Sequence, residues 1–105
     1  MTNHNDDWDD YLGEKLTDPE KAAGYLTACL EEGPDVFLLA VRDVAKAQGG
    51  MSKLAQDTDL AREALYRMFS DAGNPTFASI SAVIQSLGIK IQFTSGSKME
   101  GSEAA

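Results

Sequence analysis

Between Met51 and Ser70, in MSKLAQDTDLAREALYRMFS, small and apolar residues fall at intervals that suit two short helices meeting at a tight turn. Ala55 stands where two helices cross closely, Asp59 follows four residues later in the turn, and Leu65 comes ten residues after Ala55 on the second helix. Leu54, Leu60 and Met68 fill the remaining inward positions, so the apolar set recurs near a 3.6-residue period with one break at the turn. That spacing predicts a helix-turn-helix. It leaves Arg62, Glu63, Tyr66 and Arg67 outward on the second helix, while the first carries Ser52, Lys53 and Gln56. Arginine can bond guanine bidentately and glutamate can accept from cytosine, so the outward four suit base reading and the first-helix three suit phosphates. The same residues would also serve as the solvated face of an ordinary helical bundle.

The length of 105 residues sets the scale at one compact domain. No apolar run reaches the eighteen residues of a membrane span, and the first segment, MTNHNDDWDDY, has no signal-peptide character, so a cytoplasmic protein without a membrane partner is expected. A single cysteine, Cys29, lies in an apolar helical stretch and reads as a packed thiol.

The net charge of −8 weighs against a polyanion partner until its distribution is considered. Residues 1–35 hold ten acids against Lys15 and Lys21, whereas residues 36–95 hold six bases against five acids. The acidity belongs to the first third, where it suits either a basic protein partner or solubility.

Residues 1–16 read as an acidic, mobile arm in which Asp6, Asp7, Asp9 and Asp10 surround Trp8, ahead of Tyr11 and Leu12. A domain over 17–95 follows, then a disordered tail over 96–105. Within the domain, Thr17-Asp18-Pro19-Glu20 starts a first helix with Ala22, Tyr25, Leu26, Cys29 and Leu30 inward, and Gly33-Pro34 ends it. A second helix runs from about Asp35 to Gln48, with Phe37, Ala40, Val41, Val44 and Ala45 inward. Ser52 is the expected cap of the third helix, and the fourth runs from about Leu60 to Ser70. Gly73-Asn74-Pro75 makes a turn, and Thr76 caps a fifth helix with Phe77, Ile80, Val83, Ile84 and Leu87 inward and Gly88 at its end.

After Gly88 the period changes to two: Ile89, Ile91 and Phe93 alternate with Lys90, Gln92 and Thr94, which reads as one short half-buried strand. A lone strand leaves backbone groups unpaired, and no other convincing strand exists in the chain. Pairing with the same strand of a second copy resolves this and predicts a two-fold homodimer, the symmetry suited to half-sites about 34 Å apart. The other reading is a strand that simply lies on the helices.

From Tyr11 to about Phe93 the chain resembles the antidote proteins of chromosomal addiction modules, in the HigA-like branch of the Cro-like (Xre) helix-turn-helix family. The resemblance is carried by LTDPEKAAGYL (16–26), DVFLLAVRDVAKAQGGMSKLA (35–55) and REALYRMFSDAGNPTFASISAVIQSLGIKI (62–91). These contain, in order, the DPE helix start, the MSxLA lead-in, the RExLYR recognition helix, the GNP turn and the G-[IL]-K lead into the strand. The resemblance implies an all-α, five-helix, lambda-repressor-like helix-turn-helix domain with one short C-terminal strand paired across a dimer. It implies an antitoxin that blocks a ParE/RelE-like toxin by direct binding and represses the shared operon by binding operator DNA, with Trp8, Tyr11 and Leu12 as toxin anchors. Two positions depart from the family pattern. Asp59 replaces a turn glycine, which aspartate tolerates, and Ala61 replaces a capping serine, a loss that costs about 1 kcal/mol.

Two other readings stand beside this one: a stand-alone prophage-type transcriptional regulator, and a protein-interaction module that has lost DNA binding. An enzyme is not expected, because His4 is the single histidine and no cysteine cluster, glycine-rich phosphate loop or nucleophile elbow occurs. No cofactor or metal is expected either, since the N-terminal aspartates lack the glycine turn and closing glutamate of a calcium loop.

Overall fold

The computed structural model describes residues 12–71 and 73–96, and helices account for most of them. Residues 12–16 are helical and are labelled α1. Its end is closed by the Thr17 hydroxyl, which donates to the Glu14 carbonyl at 2.7 Å, and by the Asp18 amide, which donates to Lys15. Leu16 in this helix is fully buried and Leu12 packs against the core. The folded part of the chain therefore takes in the last five residues of the expected arm. Residues 1–11 and 97–105, which hold the rest of the arm and most of the tail, lie outside the described residues.

Helix α2 (Pro19–Glu32) starts as its sequence dictates. The Asp18 carboxylate accepts from the Glu20 amide at 3.0 Å, and Pro19 takes the first turn, where its missing N–H is not needed. Gly33, at φ 140°, ends α2 and also caps α3 (Pro34–Ala47), so a single residue reverses the chain. The two helices then pack on one another. Tyr25 and Asp43 join them by a hydroxyl-to-carboxylate hydrogen bond of 3.0 Å. On α3, Ala40, Val41, Val44 and Ala45 form a buried stripe whose small side chains permit close approach.

Helix α4 (Gly50–Thr58) touches α3, α5 (Arg62–Met68) and α6 (Phe77–Ser86), so it is the element on which the others converge. Leu16, Val41, Val44, Leu65 and Val83 are the largest fully buried side chains, each contributing about 1.5–3 kcal/mol of burial. Among the described residues, no buried side-chain nitrogen or oxygen lacks a partner.

Three expectations are corrected here. Ser52 is not the cap of α4: Gly49 and Gly50, both at positive φ, let the helix begin earlier and place Ser52 in its first turn. The fourth helix is shorter than expected, because left-handed Asp59 and extended Ala61 keep 59–61 non-helical. Leu30 and Phe77, expected inward, are 54% and 67% exposed.

Thr76 does cap α6, accepting from the Ser79 amide at 3.1 Å. At the other end Gly88, at φ 80°, donates to Gln85 while Ile89 donates to Ile84, the paired bonds of a Schellman turn. That turn lays Ile89 and Ile91 against the core, whereas Phe93 is 87% exposed. Residues 89–96 are neither helix nor strand in the single chain. The chain alone thus gives the segment a surface to rest on and no ladder.

Burial, then the bond to Asp43, raises the Tyr25 hydroxyl well above its ordinary value near 10. Because the folded state holds this proton more tightly than the unfolded chain, stability should fall as pH rises above about 10. Tyr25→Phe is expected to cost about 1 kcal/mol at neutral pH and to flatten that alkaline fall, measured by urea unfolding across pH.

Candidate nucleic-acid interface

Helix α5 has two turns, and its orientation is set by the residues it buries. Leu65 is fully buried and Met68 nearly so, with Ala64 beside them half-buried. At 100° per residue the remaining positions, Arg62, Glu63, Tyr66 and Arg67, span an outward arc of about 140°. All four are exposed, Tyr66 at 54%. The Arg62 guanidinium lies over the Tyr66 ring, 5.9 Å from its centroid, one helical turn away. The arc thus offers two cations, one of them stacked on an aromatic platform, with Glu63 as an acceptor between them.

The link from α4 to α5 is held by short-range chemistry. The Thr58 hydroxyl donates to the Leu54 carbonyl at 2.7 Å and accepts from the Leu60 amide at 3.2 Å, so one side chain ties the end of α4 to the turn. Asp59, at φ 63°, is the one described non-glycine residue at positive φ, and its amide donates to Ala55. Ala61 stands at the start of α5 with no side-chain cap, leaving first-turn amides to other acceptors. Past α5, Gly73 is required by close approach: a Cβ there would land on the Met68 and Arg67 carbonyl oxygens.

On α4, Ser52, Lys53 and Gln56 are all exposed. Lys53 is not a free cation, however, because its ammonium pairs with Asp57 at 2.6 Å one turn along. That i, i+4 spacing was legible in the sequence as a helix-face pair. Between residues 50 and 70 the three bases, Lys53, Arg62 and Arg67, are matched by Asp57, Asp59 and Glu63, so the unit carries no net charge.

The other expected site residues are dispersed. Trp8 and Tyr11 lie outside the described residues, and Leu12 is half-buried against this chain's own core. Ile89, Ile91 and Phe93 lie beyond α6 along an apolar groove that Leu30 and Phe77 also line. The exposure of those last two carries no sequence signal, since each continues an inward helical period. Cys29 is half-buried, and burial pushes its thiol up, away from the reactive thiolate. No described helix is long and apolar enough to cross a membrane.

Such features describe a small helical protein that presents charged and aromatic side chains on one short helix. The chain belongs to the family described as "Probable addiction module antidote protein", which matches residues 7–95. An uncharacterized protein of Haemophilus influenzae is 38% identical to it over 93 residues, covering 88% of this chain and 93% of that one. No solved structure matches it.

The left-handed turn residue is open to a direct check. Asp59→Val, which forces a branched side chain into that backbone, is expected to cost about 1–2 kcal/mol by denaturant unfolding, whereas Asp59→Gly should remain close to the parent.

Proposed function

We propose that this protein is the antitoxin of a type II toxin-antitoxin module: it neutralises a ParE/RelE-like toxin by direct binding and represses its own operon as a DNA-binding homodimer. Membership in the antidote family is the observation that carries this reading. In it, α4 and α5 form a helix-turn-helix of the HigA-like, Xre type. Arg62, Glu63, Tyr66 and Arg67 meet base edges, and Ser52, Lys53 and Gln56 meet phosphates. The outward arc of α5 and its uncapped first turn support this assignment. The dimer forms through Ile89, Ile91 and Phe93, which sets two recognition helices on a two-fold operator. Toxin is engaged by the acidic first third, with Trp8, Tyr11 and Leu12 as apolar anchors, in the cytoplasm. A compact basic toxin would be drawn to that segment electrostatically, which speeds encounter more than it adds affinity.

A second reading draws support from the local charge. Lys53 is paired with Asp57, Asp59 adds an anion at the turn, and Ala61 offers no hydroxyl. A protein so equipped could retain toxin neutralisation with weak operator binding, as a protein-interaction module.

Two measurements separate these. Co-expression with the product of the adjoining reading frame should give stable co-purification and rescue of growth; absence of both removes the antitoxin reading and leaves a stand-alone regulator. Arg67→Ala should cost about 1–3 kcal/mol of operator affinity and relax discrimination at one base pair. Equal weakening on every sequence would make Arg67 a phosphate clamp, and no salt-dependent duplex binding by the parent protein would favour the interaction module.

A further inference from the structure

An apolar groove lies open between α2, α3, α6 and the segment 89–93. Leu26, Leu30, Phe37, Phe77 and Ile84 form much of its wall, with Phe93 at its edge. Leu30, Phe77 and Phe93 on this groove are among the five exposed large apolar side chains of the described residues. Apolar surface gathered this way is uncommon on a solitary protein and marks a contact face. Lys90 is the one charged residue lining the groove, in a chain of net charge −8, so its occupant is not selected by charge.

The same surface holds an unpaired edge. Among the described residues, no backbone hydrogen bond reaches 90–96, although the stretch that follows the Schellman turn at Gly88 lines the groove as far as Phe93. In an extended chain residues 89, 91 and 93 share a face. Ile89 and Ile91 find their own core, whereas Phe93 runs past its end and is left 87% exposed.

We propose that a second copy of this chain fills the groove. The two 89–93 segments pair antiparallel about a two-fold axis at Ile91, and each Phe93 enters the other copy's groove against Leu30 and Phe77. Register supports this occupant: pairing centred on Ile91 sets Phe93 of one copy opposite Ile89 of the other, and Ile89 lines the groove. Donor edge, groove and projecting ring all lie on one surface, as a self-complementary two-fold contact requires. The inference rests on the two-copy assembly proposed above and adds its receptor surface, made from α2 and α6, which the alternating segment alone does not identify.

The test uses full-length protein without DNA or toxin, mixing isotope-labelled and unlabelled copies. Sedimentation should show a dimer, and isotope-filtered NOEs should run from the Phe93 ring of one copy to Leu30 and Ile84 methyls of the other. Phe93→Asp, at an exposed position, should weaken the dimer by more than about tenfold while leaving the helical circular dichroism and melting of the monomer in place. A dimer without those cross-copy NOEs overturns the groove assignment and leaves the two-copy reading standing. A monomer at NMR concentration overturns both, and toxin neutralisation, measured separately, is untouched by either result.

Discussion

The outward face of α5 depends on the burial of Leu65. A seven-residue helix is far too short to hold together by its own hydrogen bonds, since helix nucleation is unfavourable and each added bond contributes little. What keeps α5 folded, and at one rotation about its axis, is the insertion of Leu65 and Met68 into the core. Arg62, Glu63, Tyr66 and Arg67 face outward as the complement of that insertion. The core that receives them includes the small-residue stripe of α3 and the shared contacts of α4, so stability and the presentation of the candidate interface come from the same packing.

Around this unit the chain separates fold from affinity. Thr58, Asp59 and Ala61 all serve the turn geometry, through a bridging hydroxyl, a left-handed backbone and an extended residue. Their charges and caps do little for an anion. The Lys53–Asp57 pair removes a cation from the surface, and an exposed pair of this kind contributes at most about 1 kcal/mol to stability. Any polyanion bound here would therefore depend on the two arginines of α5 and on backbone amides, more than on a general positive field.

Charge and apolar surface are also segregated along the chain. The net formal charge of residues 1–35, ten acids against two lysines, equals that of the whole protein, while the groove beyond α6 carries a single lysine. An acidic segment favours long-range encounter with a basic partner, and an apolar groove favours short-range, shape-selective contact. Placing the two in different parts of one small antidote-family chain allows different partners to be met by different physics.

Most of the helices could be read from the sequence because their signals are local. Asp18-Pro19, Gly33-Pro34, Thr76 and Gly88 act within one turn of the backbone they terminate, and the structure places helix ends at each. The turn at Asp59 was legible from the apolar spacing, and its left-handed backbone from the glycine that related sequences carry there, as was the outward set on α5 from its period. Other features required the tertiary structure. Leu16 becomes core only because distant helices close over the end of α1, and Ser52 is displaced from its expected cap because two glycines open the turn before it. Leu30 and Phe77 repeat an inward period yet stay exposed, since a helix period fixes which residues share a face and cannot say where the neighbouring helix ends. The alternation of 89–93 likewise picked out Ile89 and Ile91 as the inward residues, while their resting place against the core followed from the packing of α2, α3 and α6. Local chemistry acts over a few residues and is written in sequence order; burial depends on which surfaces meet, and that is decided only when the chain has folded.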